Sequence, residues 1–297
     1  MAVRPEKLRR VLLTLSAVYD RRFLDTDPLG IVRRYDRPDD REIVGFFAAG
    51  LAYGHVRAIR ASLDRLVSVL GPRPSRFLEG FDPRRDARRL RGFRHRFTRG
   101  EDVALALSLL RQARERSGSL ERFFLEGDDG ADVTTEAAMN SFGERLFGLD
   151  ARPFHPEGGV PRRSGARWLL PLPRDGSPCK RHCLYLRWMV RPDDGVDCGV
   201  WHGVSPARLV LPLDVHLQRV ARALGWTRRR TATWAMALEV ATAARGLDPE
   251  DPVRYDFALS RLGILGLLPR DGALTPGRLN EVMRHVCREA RTDSLPR

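Results

Sequence analysis

Apolar side chains recur at spacings of three and four residues along almost the whole 297-residue chain, and that period belongs to helices. Leu8, Val11, Leu12, Leu15 and Val18 line one side of a first predicted helix over residues 4–19. Asp39 or Asp40 then caps a nearly all-apolar helix that holds Ile43, Val44, Phe46, Phe47, Ala48 and Leu51, a pattern that predicts a buried central element. Further helices are predicted at 56–70, 102–114 and 134–146, with a short segment at 120–125. Thr231 caps another through Ala244, the segment around Tyr255–Leu262 follows, and a last helix covers about 276–290. Strand-like alternation is scarce, and no phosphate-binding glycine fingerprint occurs. The expected fold class is all-α.

Charge narrows the partners. The chain has 52 Lys and Arg against 38 Asp and Glu, a formal net charge of +14. Such a field captures polyanions, nucleic acid first and an anionic membrane surface second. No apolar run has the length of a membrane span. The start, Met1-Ala2-Val3-Arg4-Pro5, lacks a signal-peptide core, so a cytoplasmic, nucleoid-associated protein is expected. The densest basic stretch is 83–99, where Arg84, Arg88, Arg91, Arg94 and Arg96 surround Phe93, His95 and Phe97. It reads either as a solvated face or as a surface that contacts phosphates. Residues 148–165 form a long Gly-, Pro- and Arg-rich connection, a candidate DNA-facing flap. The four cysteines, Cys179, Cys183, Cys198 and Cys287, lack the close spacing of an iron–sulfur site. Small buried residues on a helix face explain Cys179 and Cys183 better than a zinc site does. No cofactor and no metal are expected.

Only Lys7 and Lys180 of the 52 basic residues are lysines. Arginine serves wherever charge alone is needed, yet only a lysine amine can shed its proton and act as a nucleophile. A lone lysine is on composition equally a chance survivor. Ser177 reads as an N-cap and Pro178 as the first residue of a helix whose face is Cys179, Cys183, Leu186 and Val190. Lys180 then sits in the first turn, where the helix dipole opposes an ammonium. That setting suits a nucleophilic amine and equally the binding of a phosphate. Asp214 precedes a second helix, with Leu217, Val220, Ala221 and Leu224 inward and Gly225 as its stop. Taken alone, Asp214 is first of all an N-cap.

Leu211-Pro212-Leu213-Asp214-Val215-His216 resembles the aspartate motif of the helix-hairpin-helix (HhH-GPD) DNA glycosylases. Lys180, after the turn Pro173-Arg174-Asp175-Gly176-Ser177-Pro178, resembles the lysine of that superfamily's bifunctional members. The interval of 34 residues between Lys180 and Asp214 is nearest the archaeal 8-oxoguanine glycosylase branch. Leu186–Arg191 and Asp193–Asp197 also resemble a bacterial family of unknown function related to that branch. The resemblance is strongest over about 164–265.

It implies a single all-α unit over 1–297, with two interleaved lobes around a central cleft. Residues 164–190 would be the helix-hairpin-helix, and 191–225 an insertion leading to the catalytic aspartate. It further implies a monomer that excises an oxidised purine such as 8-oxoguanine from double-stranded DNA and cuts the strand at the abasic site. Lys180 and Asp214 would be catalytic. Gly176, Ser177, Arg181 and the arginines of 83–99 would hold DNA, and Tyr53, Cys183, Tyr185 and Trp188 are candidates for a base pocket. Two other classes compete: a non-catalytic DNA-binding protein of the same fold, and an RNA-binding protein.

Overall fold

The computed structural model describes residues 4–264 and residues 275, 277, 281 and 284. Of the predicted helix over 276–290 only Gly277, Glu281 and Arg284 are described, each helical, and Cys287 lies outside the described residues. The fold is all-α. The N-terminal half contains α1 (Pro5–Val18), α2 (Leu29–Val32), α3 (Pro38–Gly50), α4 (Val56–Leu70), α5 (Pro74–Glu79) and α6 (Pro83–Asp86). A minimal hairpin, β1 (Arg94–His95) and β2 (Thr98–Arg99), pairs Arg94 with Arg99 and His95 with Thr98. Then come α7 (Gly100–Ser117), α8 (Leu120–Leu125), α9 (Glu136–Phe147) and α10 (Gly165–Leu169). The last elements are α11 (Lys180–Val190), α12 (Val215–Ala223), α13 (Trp234–Arg245) and α14 (Asp256–Ile264). Among the described residues no helix is long and apolar enough to cross a membrane.

Helix α3 is the axis of the core, buried continuously from Ile43 to Ala52 past its own end. It packs against α11, and glycine makes the close approach possible. A Cβ at Gly45 would lie 2.8 Å from Met189 Cε. Two charged residues of α3, Asp40 and Glu42, are buried, and Glu42 is fully engaged. Its carboxylate accepts from Trp201 Nε1 (2.7 Å), Arg114 Nη1 (3.0 Å) and the Glu121 amide (3.0 Å), so it pins the start of α8 to the core. Burial pushes its pKa up. Helix α5 packs on α3, and α5, α7, α8 and α9 pack on one another, whereas α14 packs on both α1 and α12.

Several boundaries differ from those expected. Helix α11 begins at Lys180 rather than Pro178, and its cap residue, Cys179, takes left-handed backbone angles (φ 50°, ψ 29°). Ser177 is not the N-cap; its Oγ accepts from the Cys179 amide at 3.2 Å and shapes the turn instead. Thr233, not Thr231, caps α13 by accepting from the Met236 amide. Helix α3 starts at Pro38 with no side-chain cap from Asp39 or Asp40. The basic run 83–99 is a short helical turn followed by the hairpin, not one helix face.

Candidate active site around Lys180 and Asp214

Two helix starts meet. The turn Pro173–Asp175 ends at Gly176, whose φ of 73° suits a residue without a Cβ. The chain turns once more at Cys179, an uncommon place for a side chain and one that costs about 1–2 kcal/mol. The Cys179 side chain is fully buried and its Sγ donates to the Ser177 carbonyl at 3.2 Å, which holds the turn in place. Burial pushes that thiol up to about 12, so it stays protonated near neutrality and does not compete as a nucleophile. Lys180 follows as the first residue of α11, with its side chain one-third exposed.

The segment Leu209–Leu213 is buried and ends at Asp214, the N-cap of α12. Asp214 Oδ1 accepts from the amides of His216 (2.9 Å) and Leu217 (2.8 Å). Those bonds fix the carboxylate and leave Oδ2 facing Lys180, with Nζ at 3.7 Å. Lys180 Nζ also donates to the Ala52 carbonyl at 3.3 Å. The amine is thus held between α12 and the segment that follows α3.

Both groups line a cavity of about 830 Å³, within the range of ligand pockets. Its apolar wall includes Phe23, Ile59, Leu184, Trp188 and Phe257. Its polar wall includes His216, Arg187, Asp256 and Arg261. Arg261 spans the far side: it donates to the Phe23 carbonyl (3.3 Å) and its guanidinium lies 4.8 Å from the Phe257 ring.

Beneath the cavity lies a buried charge cluster. Arg187 Nη1 donates to Asp256 Oδ2 at 2.5 Å, and Nη2 of the same residue donates to Asp197 Oδ2 at 3.3 Å. Arg191 bonds Asp197, Asp194 (3.0 Å) and Asp251 (2.9 Å). Carboxylates outnumber guanidinium groups there. Asp256 is buried, and its Oδ1 has no hydrogen-bond partner. Burial first, with repulsion from Asp214 and Asp197 added, outweighs Arg187 and pushes Asp256 up to about 6. The cavity therefore holds two unlike carboxyls, Asp214 bound to backbone amides and Asp256, which keeps its proton up to about pH 6.

The other expected site residues are placed as follows. Trp188 lines the cavity. Cys183 and Tyr185 point into the core, Tyr185 against Phe46 and Trp201. Tyr53 is not on the wall; it lies under the Arg181 guanidinium, 5.1 Å away, and bonds the hairpin. Gly176 is exposed, Ser177 and Arg181 are half-buried, and Arg84, Arg88, Arg91, Arg94 and Arg96 are all exposed. Asp256 escaped the sequence reading because it looks like any acidic first-turn residue before an apolar run. Cys179, Cys183 and Cys198 are buried and free, and among the described residues no group of His, Cys, Asp and Glu could hold a metal ion.

Fold and cavity together define an all-helical protein that presents a lysine and an aspartate from two helix starts into one pocket. The chain belongs to the family described as "Protein of unknown function (DUF2400)", whose model matches residues 27–265 and so takes in Lys180, Asp214 and the cavity wall apart from Tyr19, Phe23 and Thr26. No curated protein and no solved structure matches the chain.

Proposed function

We propose that the protein is a DNA base-excision glycosylase with abasic-site lyase activity, related to the helix-hairpin-helix glycosylases and acting in the cytoplasm on nucleoid DNA. The observation that carries this reading is the 3.7 Å approach of Lys180 Nζ to Asp214 Oδ2 on the wall of a cavity with room for a nucleotide. The exposed arginines around it supply affinity for phosphates. A damaged nucleotide leaves the stack to enter the cavity. Lys180 passes a proton to Asp214, and the neutral amine attacks the sugar C1′. The glycosidic bond breaks with its electron pair on the base, which takes up the proton. Asp214, again a carboxylate, stabilises the cationic sugar.

A proton then moves from the attached nitrogen to O4′, the C1′–O4′ bond opens, and a protonated imine remains on Lys180. Loss of a C2′ proton forms the C2′–C3′ double bond and breaks the C3′–O bond, whose electrons leave with the 3′ phosphate. Water hydrolyses the imine and frees the lysine. Oxidised purine, 8-oxoguanine above all, is the proposed substrate.

Borohydride, which reduces the imine to a stable amine, tests this on duplexes carrying 8-oxoguanine or an abasic site. Wild type should give a covalent adduct with both, and Lys180→Arg with neither, because arginine keeps the charge but cannot form the imine. Asp214→Asn keeps the helix cap, since Asn caps as well as Asp. It should nevertheless slow base release by about 10²-fold or more, as loss of a buried electrostatic contact does. DNA binding with no adduct on either duplex would overturn the reading in favour of a non-catalytic DNA-binding protein.

A further inference from the structure

Arg96, at the tip of the β1–β2 hairpin, takes left-handed backbone angles (φ 50°). The hairpin has two unlike faces. His95 and Thr98 are buried, whereas Arg94, Arg96, Phe97 and Arg99 point outward. Phe97 is 68 % exposed, and Trp168 on α10 is 54 % exposed. Their ring centroids are 6.1 Å apart, so they form one apolar patch in water. A paired exposed aromatic surface is a marker of binding rather than of folding.

The patch is bolted to the cavity rim. Tyr53 Oη donates to the His95 carbonyl at 2.9 Å and shares a hydrogen bond with Thr98 Oγ1 at 2.8 Å. The His95 ring is held at 3.0 Å from both Ser62 Oγ and the Tyr53 carbonyl. Burial keeps that imidazole below its usual pKa, so it bonds as a neutral ring. The guanidinium of Arg181, next to Lys180, lies over the Tyr53 ring at 5.1 Å. The Arg96 side chain crosses Gly54, a cavity residue where an added Cβ would meet Arg96 Cδ at 3.0 Å. Hairpin, Tyr53 and the first turn of α11 are thus one block, and Phe97 follows directly on Arg96, whose side chain meets Gly54 of the cavity wall.

We propose that Phe97 and Trp168 are a stacking platform for DNA bases exposed next to a nucleotide rotated into the cavity, with Arg94, Arg96 and Arg99 on the flanking phosphates. The proposal rests on the reading of the cavity as a nucleotide pocket. Charge complementarity names the occupant: apolar rings ringed by guanidinium groups fit flat bases on a polyanionic strand. A rotated nucleotide leaves its neighbours without a stacking partner, and two exposed rings on the hairpin and α10 can replace it.

Equilibrium binding to a short abasic-site duplex and to its intact counterpart tests the proposal, with full-length wild type, Phe97→Ala/Trp168→Ala and Arg94→Gln/Arg99→Gln. Both aromatic residues are exposed, so the first variant should unfold at the wild-type temperature. Its affinity for the abasic duplex should fall about five- to a hundredfold, the usual loss on removing base stacking. The dependence of its affinity on salt should not change, because no phosphate contact is lost. The arginine variant should bind both duplexes more weakly, with a shallower salt dependence. Binding by the aromatic variant within about twofold of wild type on the abasic duplex would overturn the proposal, because even one lost stack costs more. Borohydride trapping beside it separates the two readings. An adduct with aromatic-independent binding overturns the platform alone, and aromatic-dependent binding without an adduct overturns the chemistry alone.

Discussion

Asp256 is the residue at which the site's electrostatics can be measured without any substrate. Arg187, Asp197 and Asp214 act on it, from α11, from the loop after α11 and from the start of α12, and Oδ1 has no compensating hydrogen bond. Its folded-state pKa is pushed up to about 6, from an unfolded value near 4. Between those values the folded protein holds a proton that the unfolded chain has released. Stability therefore falls as pH rises from about 4 to about 6, and this contribution is constant above that window. Asp256→Asn lacks the titration. Urea unfolding across this range should show wild type losing up to about 3 kcal/mol relative to the variant, and a pH-independent difference would contradict the assignment. Removal of Arg187 has a different consequence. Arg187→Leu leaves Asp197 and Asp256 buried without their shared cation and should cost about 3–5 kcal/mol in the same assay. Lys180 stood out in the sequence as one of only two lysines, and Asp214 through the motif Leu211–His216, since a helix start alone marks only a cap. Asp256 did not, because its partner Arg187 lies 69 residues away and only packing joins them.

At the level of elements, the site depends on how α12 and α14 meet. They touch at Gly263, where an added Cβ would lie 2.7 Å from His216 Cβ and 3.1 Å from His216 Cα. The second of these is backbone, so neither helix can yield locally. Gly263→Ala should cost about 1–3 kcal/mol and move the start of α12, and Asp214 with it, away from Lys180. Adduct formation at a temperature where the variant is fully folded should then fall, and unchanged trapping rates would show that the packing of α14 does not position Asp214. The element boundaries missed in the sequence have physical causes. Ser177-Pro178 has the form of a cap and first helical residue, but the buried side chain of Cys179 holds one more turn in the left-handed region before the helix can begin. Thr231 and Thr233 are both competent caps, and burial of Trp234 selects the second. The basic run at 83–99 became a hairpin through hydrogen bonds from Tyr53 to His95 and Thr98, contacts over more than forty residues that local spacing cannot disclose.

For the whole molecule, helical periodicity was the strongest signal, and it correctly predicted an all-α fold with α3 at its centre. Composition gave the net charge of +14 but not its placement, which required the hairpin, α11 and the cavity rim to be brought together. The central claim is that one amine in this molecule does the chemistry, and its lysine content makes that claim unusually easy to test. Only Lys7 and Lys180 carry side-chain amines, and Lys7 lies on α1. The direct measurement is peptide mapping by mass spectrometry of the borohydride-reduced adduct formed with an abasic duplex. The account predicts the sugar remnant on the peptide that contains Lys180, with Lys7 and the N-terminus unmodified. A remnant on Lys7 or the N-terminal amine, with Lys180 free, would contradict it.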